Sequence, residues 1–334
     1  GGEGDDGEAA GGLDLLHELD GHAQLLGVRK ELVVTHRRER ADLREDRARV
    51  ADGMVAKRSL LRAASLIAFS RAADSAGRRI AIMARVENKC GSPMLKGNFA
   101  PIEDEIDVAE LEVSGSIPPE LSGLYLRNGP NPMFEPLGQY HWFDGDGMLH
   151  GIRLENGKAS YRNRWVRSRG LDAEESAGRA IFGGMNTLNL TDTDLAAEAG
   201  GMKNTANTNV IRHAGRILCL MEGAAPTVVN TDLETIGEEN FGGKLQGSLS
   251  AHPHYDPRTG ELLAFGYVPS LKYLRFSPEG DLVQVEDIDV PKPTMMHDFT
   301  FTKDHAIFFD APAILDFESF LMGTGPMVHW DPDN

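Results

Sequence analysis

Residues 151–166 read GIRLENGKASYRNRWV, two strand-like runs joined by Asn156-Gly157. An Asn-Gly pair between such runs favours a tight β-hairpin. Similar runs follow at short spacing, for example NVIRHAGRILCLMEG (209–223), ELLAFGYV (261–268) and KYLRFSPEGDLVQVEDIDV (272–290). Glycine or proline marks their joints. The pattern predicts an all-β sandwich, barrel or propeller, with short helices only at 173–180 and 193–202.

Composition excludes several functional classes. The 334 residues carry a net charge of −17, which opposes binding to a nucleic-acid backbone. Only two cysteines are present, so no disulfide framework is expected. The longest apolar candidate, 59–70, is too short to span a membrane. With no signal peptide recognisable either, we expect a cytoplasmic protein, with possible peripheral membrane contact.

The N-terminal part differs in composition from the rest. Residues 1–80 contain 14 acidic and 14 basic side chains and no proline, tryptophan or tyrosine. Two interpretations stay open for 1–82: a disordered or loosely helical extension, or mistranslated sequence from an out-of-frame, GC-rich stretch, with Met83 as the true start. The predicted division is therefore 1–82 as an extension and 83–334 as the β domain.

Two histidines stand out among eleven. His252 in SLSAHPHYDP and His297 in PTMMHDFTF each precede a predicted strand, 45 residues apart. That spacing matches one propeller blade of roughly 40–45 residues, and equivalent positions on successive blades point to one axis. Because neutral imidazole binds Fe, Zn, Cu or Ni, the pair indicates a metal site. His254 is an alternative to His252, because residues i and i+2 of a strand share one face. Glu222, at the end of an apolar run, is a candidate to orient a ligating histidine.

The remaining polar motifs predict turns. His213 and His305 lie in apparent hairpin turns and are expected to face solvent. The stretch FDGDGM (143–148) is too short for a calcium loop and is interpreted as a tight turn with special backbone conformations. No Walker loop, GxSxG, HExxH or CxxC motif occurs.

Taken together, these motifs resemble the carotenoid cleavage oxygenase family, which includes epoxycarotenoid and stilbene-cleaving dioxygenases. The matching text runs from GNFAPIEDE (97–105) through IPPELSGLYLRNGPNP (117–132), YHWFDGDGMLHGIRL (140–154), NTANTNVIRHAGRILCLMEGAAP (204–226) and LSAHPHYDPRTGEL (249–262) to PTMMHDFTFT (293–302). The resemblance implies an all-β, seven-bladed propeller with a helical cap and a non-haem Fe(II) held by four histidines. His252 and His297 resemble the first two ligands, and Glu222 resembles the carboxylate that orients a ligand histidine.

The resemblance also implies a tunnel for a long apolar substrate, with Phe134, Trp142 and Phe143 as candidate lining residues. Ordinary core packing is the alternative for these residues and is favoured for Phe143. The implied reaction is cleavage of a C=C bond of a carotenoid or apocarotenoid by O2 into carbonyl products. A phenolic stilbene is the alternative substrate: Tyr140 fits that subgroup's tyrosine, but Met221 stands where its lysine precedes the acid.

The sequence departs from the family pattern at its C-terminal end. The third and fourth ligand histidines are expected well beyond position 320, and His329 lacks their context. We therefore expect a fragment with about four blades, in which a non-catalytic binding module is the rival function.

Overall fold

The structure is a computed structural model that describes residues 86–322 and 324–332. The proposed extension 1–82 and its boundary at Met83 lie outside the described residues. The described ranges belong to one compact unit. Among them, no helix is long and apolar enough to cross a membrane.

Antiparallel sheets dominate the described chain. The first four-stranded sheet contains β1 (Asp107–Val108), β2 (Gly123–Pro130), β3 (Gly147–Glu155) and β4 (Lys158–Trp165), in the order β1-β4-β3-β2. The second contains β5 (Asn209–His213), β6 (Arg216–Leu220), β7 (Thr227–Val229) and β8 (Thr235–Glu238), in chain order. The third contains β9 (His254–Tyr255), β10 (Leu262–Gly266), β11 (Lys272–Phe276) and β12 (Leu282–Asp287), also in sequence order along the sheet. Two-stranded sheets follow: β13 (Thr300–Phe301) with β14 (Ala306–Ile307), and β15 (Ala313–Leu315) with β16 (Val328–Trp330).

The hairpin prediction is confirmed at its strongest points. Asn156 and Gly157 join β3 to β4 with φ of 52° and 75°. Ala214 and Gly215 join β5 to β6 with φ of 48° and 78°. Two consecutive positive φ angles define the type I′ turn, whose twist matches that of the flanking strands.

The core lies between successive sheets. Side chains of a strand alternate between its two faces, and in β6 both faces are buried. Leu218 and Leu220 join a cluster with residues of the third sheet. Ile217 and Cys219 join another with residues of the first. Each fully buried leucine contributes ~1.5–3 kcal/mol, whereas an isolated hairpin is marginal, so stacking of the sheets stabilises the unit. This arrangement confirms the predicted all-β propeller class, in partial form.

Within residues 86–322 and 324–332 the helices are few and short. They are α1 (Arg169–Ala177), α2 (Thr193–Glu198) and α3 (Phe317–Leu321), with 3-10 turns at Pro93–Leu95, Gly97–Phe99, Trp142–Asp144 and Leu188–Leu190. The predicted helix 173–180 begins earlier because Ser168 caps it, its side chain accepting from the Leu171 amide. It ends at Gly178, whose φ of 69° terminates the helix.

Of the two histidines expected in exposed turns, one is buried. His213 ends β5 but is only 6% exposed, with Nε2 2.8 Å from the Ser277 carbonyl oxygen of the third sheet's β11–β12 turn. Stacking of the two sheets therefore buries a turn residue, whereas His305 is exposed as predicted.

The glycines of FDGDGM are also needed for a different reason than expected. Gly145 has an ordinary φ of −68°. A Cβ there would lie 2.4 Å from the Tyr140 hydroxyl oxygen, and one on Gly147 would lie 2.4 Å from the Ala206 carbonyl oxygen. Close packing, not an unusual backbone conformation, requires both glycines.

Candidate metal centre

Three side chains from separate loops converge beside the ends of the strands. Glu222 lies two residues after β6, His252 two residues before β9, and His297 three residues before β13. One potential ligand atom from each lies within 4.8 Å of the others. The two histidines predicted from blade spacing therefore meet, and the predicted acid joins them.

The geometry of the cluster fits a cation. Glu222 Oε1 lies 2.9 Å from His252 Nε2, and the His252 and His297 ring centroids are 4.4 Å apart. Although Glu222 Oε1 and His252 Nε2 are at ion-pair distance, both atoms are buried and neither has a hydrogen bond of acceptable geometry. Unpartnered buried polar atoms are costly, and a divalent ion bound by the two imidazoles, with the Glu222 carboxylate beside them, would compensate for that cost. His297 is the exposed member of the group.

The sequence left His252 and His254 as alternatives, and the structure separates them. His254 Nε2 lies 2.9 Å from both Asp298 Oδ1 and the Phe299 carbonyl oxygen, outside the cluster. Burial alone would raise the pKa of Asp298, but the hydrogen bonds from His254 and the Phe299 amide hold that pKa below its usual value. Strand alternation does not relate the two histidines because β9 begins only at His254.

A buried hydroxyl fixes the other oxygen of the acid. Tyr267, which directly follows β10, donates from its hydroxyl to Glu222 Oε2 at 3.0 Å. Burial first, and the Glu222 carboxylate second, raise the pKa of Tyr267 far above its usual value. Sequence reasoning missed this residue.

Asparagines hold the backbone next to His252. Asn209 donates from Nδ2 to the Ala251 carbonyl oxygen at 2.8 Å. Asn128 of the first sheet in turn donates to the Asn209 carbonyl oxygen at 3.1 Å. The Ser250 hydroxyl oxygen accepts from the His252 amide. A hydrogen-bonded path therefore links the first and second sheets to the loop that carries His252. The NTANTN run (204–209) was its only sequence signal.

The three candidate tunnel residues occupy different environments. Phe134 is buried in an apolar cluster with Met133, Met148, Trp165, Leu171 and Ala180. Trp142 packs on Phe99 with ring centroids 4.9 Å apart, and its Nε1 is buried without a hydrogen-bond partner. Phe143 is 60% exposed, so the core packing favoured for it is wrong. A tunnel role for the three stays a prediction.

Comparison with known proteins identifies the family. Residues 99–334 match the family described as Retinal pigment epithelial membrane protein. The chain is 40% identical over 238 residues to carotenoid 9,10(9',10')-cleavage dioxygenase 1 of Arabidopsis thaliana, covering 65% of this chain and 44% of that protein. It is 39% identical over 232 residues to a carotenoid cleavage oxygenase of Mycobacterium tuberculosis, covering 67% and 44%. The chain therefore belongs to the retinal pigment epithelial membrane protein and carotenoid cleavage oxygenase family.

Solved structures agree in fold. Lignostilbene dioxygenase of Pseudomonas brassicacearum superposes with a TM-score of 0.67 at 35% identity, covering 72% of this chain and 52% of that one. A variant of Synechocystis apocarotenoid oxygenase gives 0.58 at 30% identity, covering 70% and 53%. The chain thus spans about half the length of its structural relatives and 44% of these curated ones.

Proposed function

We propose that the protein is a non-haem Fe(II) dioxygenase that cleaves a C=C bond of a carotenoid or apocarotenoid into two carbonyl products. The observation that carries the proposal is the convergence of Glu222, His252 and His297 in a chain of this family. Relatives at about 40% identity bear the name carotenoid cleavage dioxygenase.

In this proposal His252 and His297 supply two neutral imidazole ligands, and Glu222 orients a ligand histidine. The bound iron would activate O2 for addition across the alkene. The protein groups act by position: each histidine stands in a loop that immediately precedes a strand, and the Asn209 hydrogen bond to Ala251 limits movement of the His252 backbone. A metal site of this kind requires its ligand atoms to be held within a fraction of an ångström of their binding positions.

Iron content and turnover test the proposal. The complete protein, with the third and fourth histidines that the family resemblance implies, is expected to contain about one iron per chain when purified anaerobically with Fe(II). It is expected to bleach a β-apocarotenal only with O2, giving carbonyl products by chromatography. His252→Ala and His297→Ala are expected to lose iron and turnover. His305→Ala is the matched control, because His305 is an exposed hairpin histidine outside the cluster. Full iron content and turnover in either cluster variant would refute the assignment.

A phenolic stilbene is the second candidate substrate, favoured by the structural likeness to lignostilbene dioxygenase. Tyr140, the residue that fitted this alternative, is only 6% exposed and its hydroxyl packs against Gly145. That burial favours the carotenoid. Parallel incubation decides between them, since stilbene cleavage yields an aromatic aldehyde and carotenoid cleavage removes visible colour.

A non-catalytic binding module is the rival from another class. Such a module needs no metal, so iron-free protein that neither binds Fe(II) nor turns over either substrate would favour it. The buried atoms of Glu222 and His252 without hydrogen bonds argue for the metal.

We also propose that the protein meets its apolar substrate by peripheral contact with a membrane. Phe143 is 60% and Phe99 39% exposed; Phe143 directly follows Trp142 in the chain, and the Trp142 ring packs on Phe99. Exposed aromatic side chains of this kind favour the membrane interface. Flotation with neutral phosphatidylcholine vesicles, weakened by Phe143→Ser, is the expected result; equal flotation of the two proteins would contradict it.

A further inference from the structure

Tyr267 is a buried residue whose hydroxyl has a fixed position. It is 8% exposed and stacks on Phe265 with ring centroids 6.0 Å apart. Its ring lies in the apolar cluster that also contains Met296, the residue directly before His297. Packing thus sets the ring, and the ring sets the hydroxyl 3.0 Å from Glu222 Oε2.

The two oxygens of Glu222 have different neighbours. Oε1 faces His252 Nε2 at 2.9 Å, whereas Oε2 accepts the Tyr267 hydroxyl. A carboxylate with both oxygens free can bind a cation with either one or both. The Tyr267 hydrogen bond engages one oxygen and opposes rotation of the carboxylate.

We propose that Tyr267 is a positioning residue: its hydroxyl keeps Glu222 turned so that only one oxygen faces the histidine pair, which keeps the metal site rich in imidazole. This inference rests on the proposed metal site. It predicts that the hydroxyl, rather than the ring, controls metal affinity and the ligand set.

Cobalt titration of the full chain tests this role. Co²⁺ binding is followed by calorimetry and by the visible absorption of the ion in the wild type and in Tyr267→Phe. Loss of the hydroxyl is expected to weaken Co²⁺ binding about tenfold, the low end of the range for residues that orient metal ligands. The visible band is expected to lose intensity, because oxygen atoms of the released carboxylate and of water replace a misoriented imidazole and raise the coordination number.

Tyr273→Phe is the matched control. Tyr273 packs against the same apolar cluster, and its ring lies 6.5 Å from that of Phe299. Removing its hydroxyl leaves the Tyr267–Glu222 hydrogen bond in place, so affinity and spectrum are expected to stay unchanged. Equal loss of affinity in Tyr267→Phe and Tyr273→Phe would overturn the inference.

A double-mutant cycle separates positioning from general stability. If Tyr267 acts through Glu222, Tyr267→Phe has little further effect on Co²⁺ affinity in a Glu222→Gln background. Additive losses would overturn the inference. If the wild type binds no Co²⁺, or if His252→Ala binds Co²⁺ as tightly as the wild type, the metal site and the inference are overturned together. Wild-type affinity in Tyr267→Phe, with binding lost in His252→Ala, would overturn only the role of Tyr267.

Discussion

Replacing Lys203 by methionine is expected to destabilise the first sheet's contact with α1. Lys203 Nζ lies 2.6 Å from Asp146 Oδ1 and 2.5 Å from Glu174 Oε2. The lysine side chain is 12% exposed, and those of the two acids are 4% and 2% exposed. Methionine keeps the volume of the aliphatic chain but leaves two carboxylates buried without a cation.

The cost follows from that burial. Removing one partner of a buried ion pair costs about 3–5 kcal/mol. Both acids retain backbone donors, since Asp146 accepts from the Met133 amide and Glu174 from the amides of Ile181 and Phe182. The variant can therefore fold, and at about 2–4 °C per kcal/mol for a domain of this size its melting temperature is expected to fall by roughly 6–20 °C.

The pH dependence gives a second, independent signature. Burial alone would lower the pKa of Lys203, but Asp146 and Glu174 outweigh it and hold that pKa above its usual value. A raised folded-state pKa contributes stability that is complete below the unfolded value, ~10.4 for lysine, and is lost as the pH rises through the folded value. The wild type is therefore expected to lose this stability above about pH 10.4, and Lys203→Met to lack that loss.

Urea unfolding and thermal melts of the full chain measure both effects. Lys158→Met is the control: Lys158 pairs with Glu110 at 3.0 Å, but the side chains are 68% and 64% exposed. An exposed pair is worth at most ~1 kcal/mol. Equal shifts in the two variants, or an unchanged alkaline loss in Lys203→Met, would refute the reasoning.

Two further substitutions test how neighbouring segments are held. Gly266→Ala places a Cβ 2.1 Å from the Ser248 carbonyl oxygen and is expected to lower the free energy of unfolding, measured in urea, by ~1–3 kcal/mol. Gly123→Ala is the control, because a Cβ at this strand position has nothing within 4 Å. Equal costs in the two variants would contradict the steric argument. Asn209→Ala leaves the carbonyl of the fully buried Ala251 without its side-chain donor and is expected to cost ~1–3 kcal/mol; an unchanged melting temperature would show that this hydrogen bond does not hold the loop.

Local sequence signals predicted the repeating parts of the fold. Asn156-Gly157 and Ala214-Gly215 adopt the positive φ angles that their hairpins need. The 45-residue spacing of His252 and His297 brought both to one place, because each lies just before the first strand of one of two successive sheets, β9 and β13. Repetition converts a sequence spacing into a spatial contact, which is why two widely separated histidines were predictable.

Contacts that depend on loop paths were not predictable. Lys203 meets Asp146 and Glu174 from 57 and 29 residues away, with no repeat to relate them. His213 has the sequence of an exposed turn and is buried only because the next sheet covers it. Such contacts depend on tertiary packing, and no periodicity of the chain encodes them.

The same distinction explains the division of roles within the site. The histidines sit at repeating positions, so blade geometry alone brings them together. The groups that set their orientation repeat in position but not in residue type: Glu222 follows the second strand of one sheet, and Tyr267 follows the second strand of the next. Although equivalent in their own sheets, these two positions carry an acid and a phenol that complete one hydrogen bond across the stack. A change in the stacking of the second and third sheets is therefore expected to alter the orientation of Glu222 before it separates the histidines.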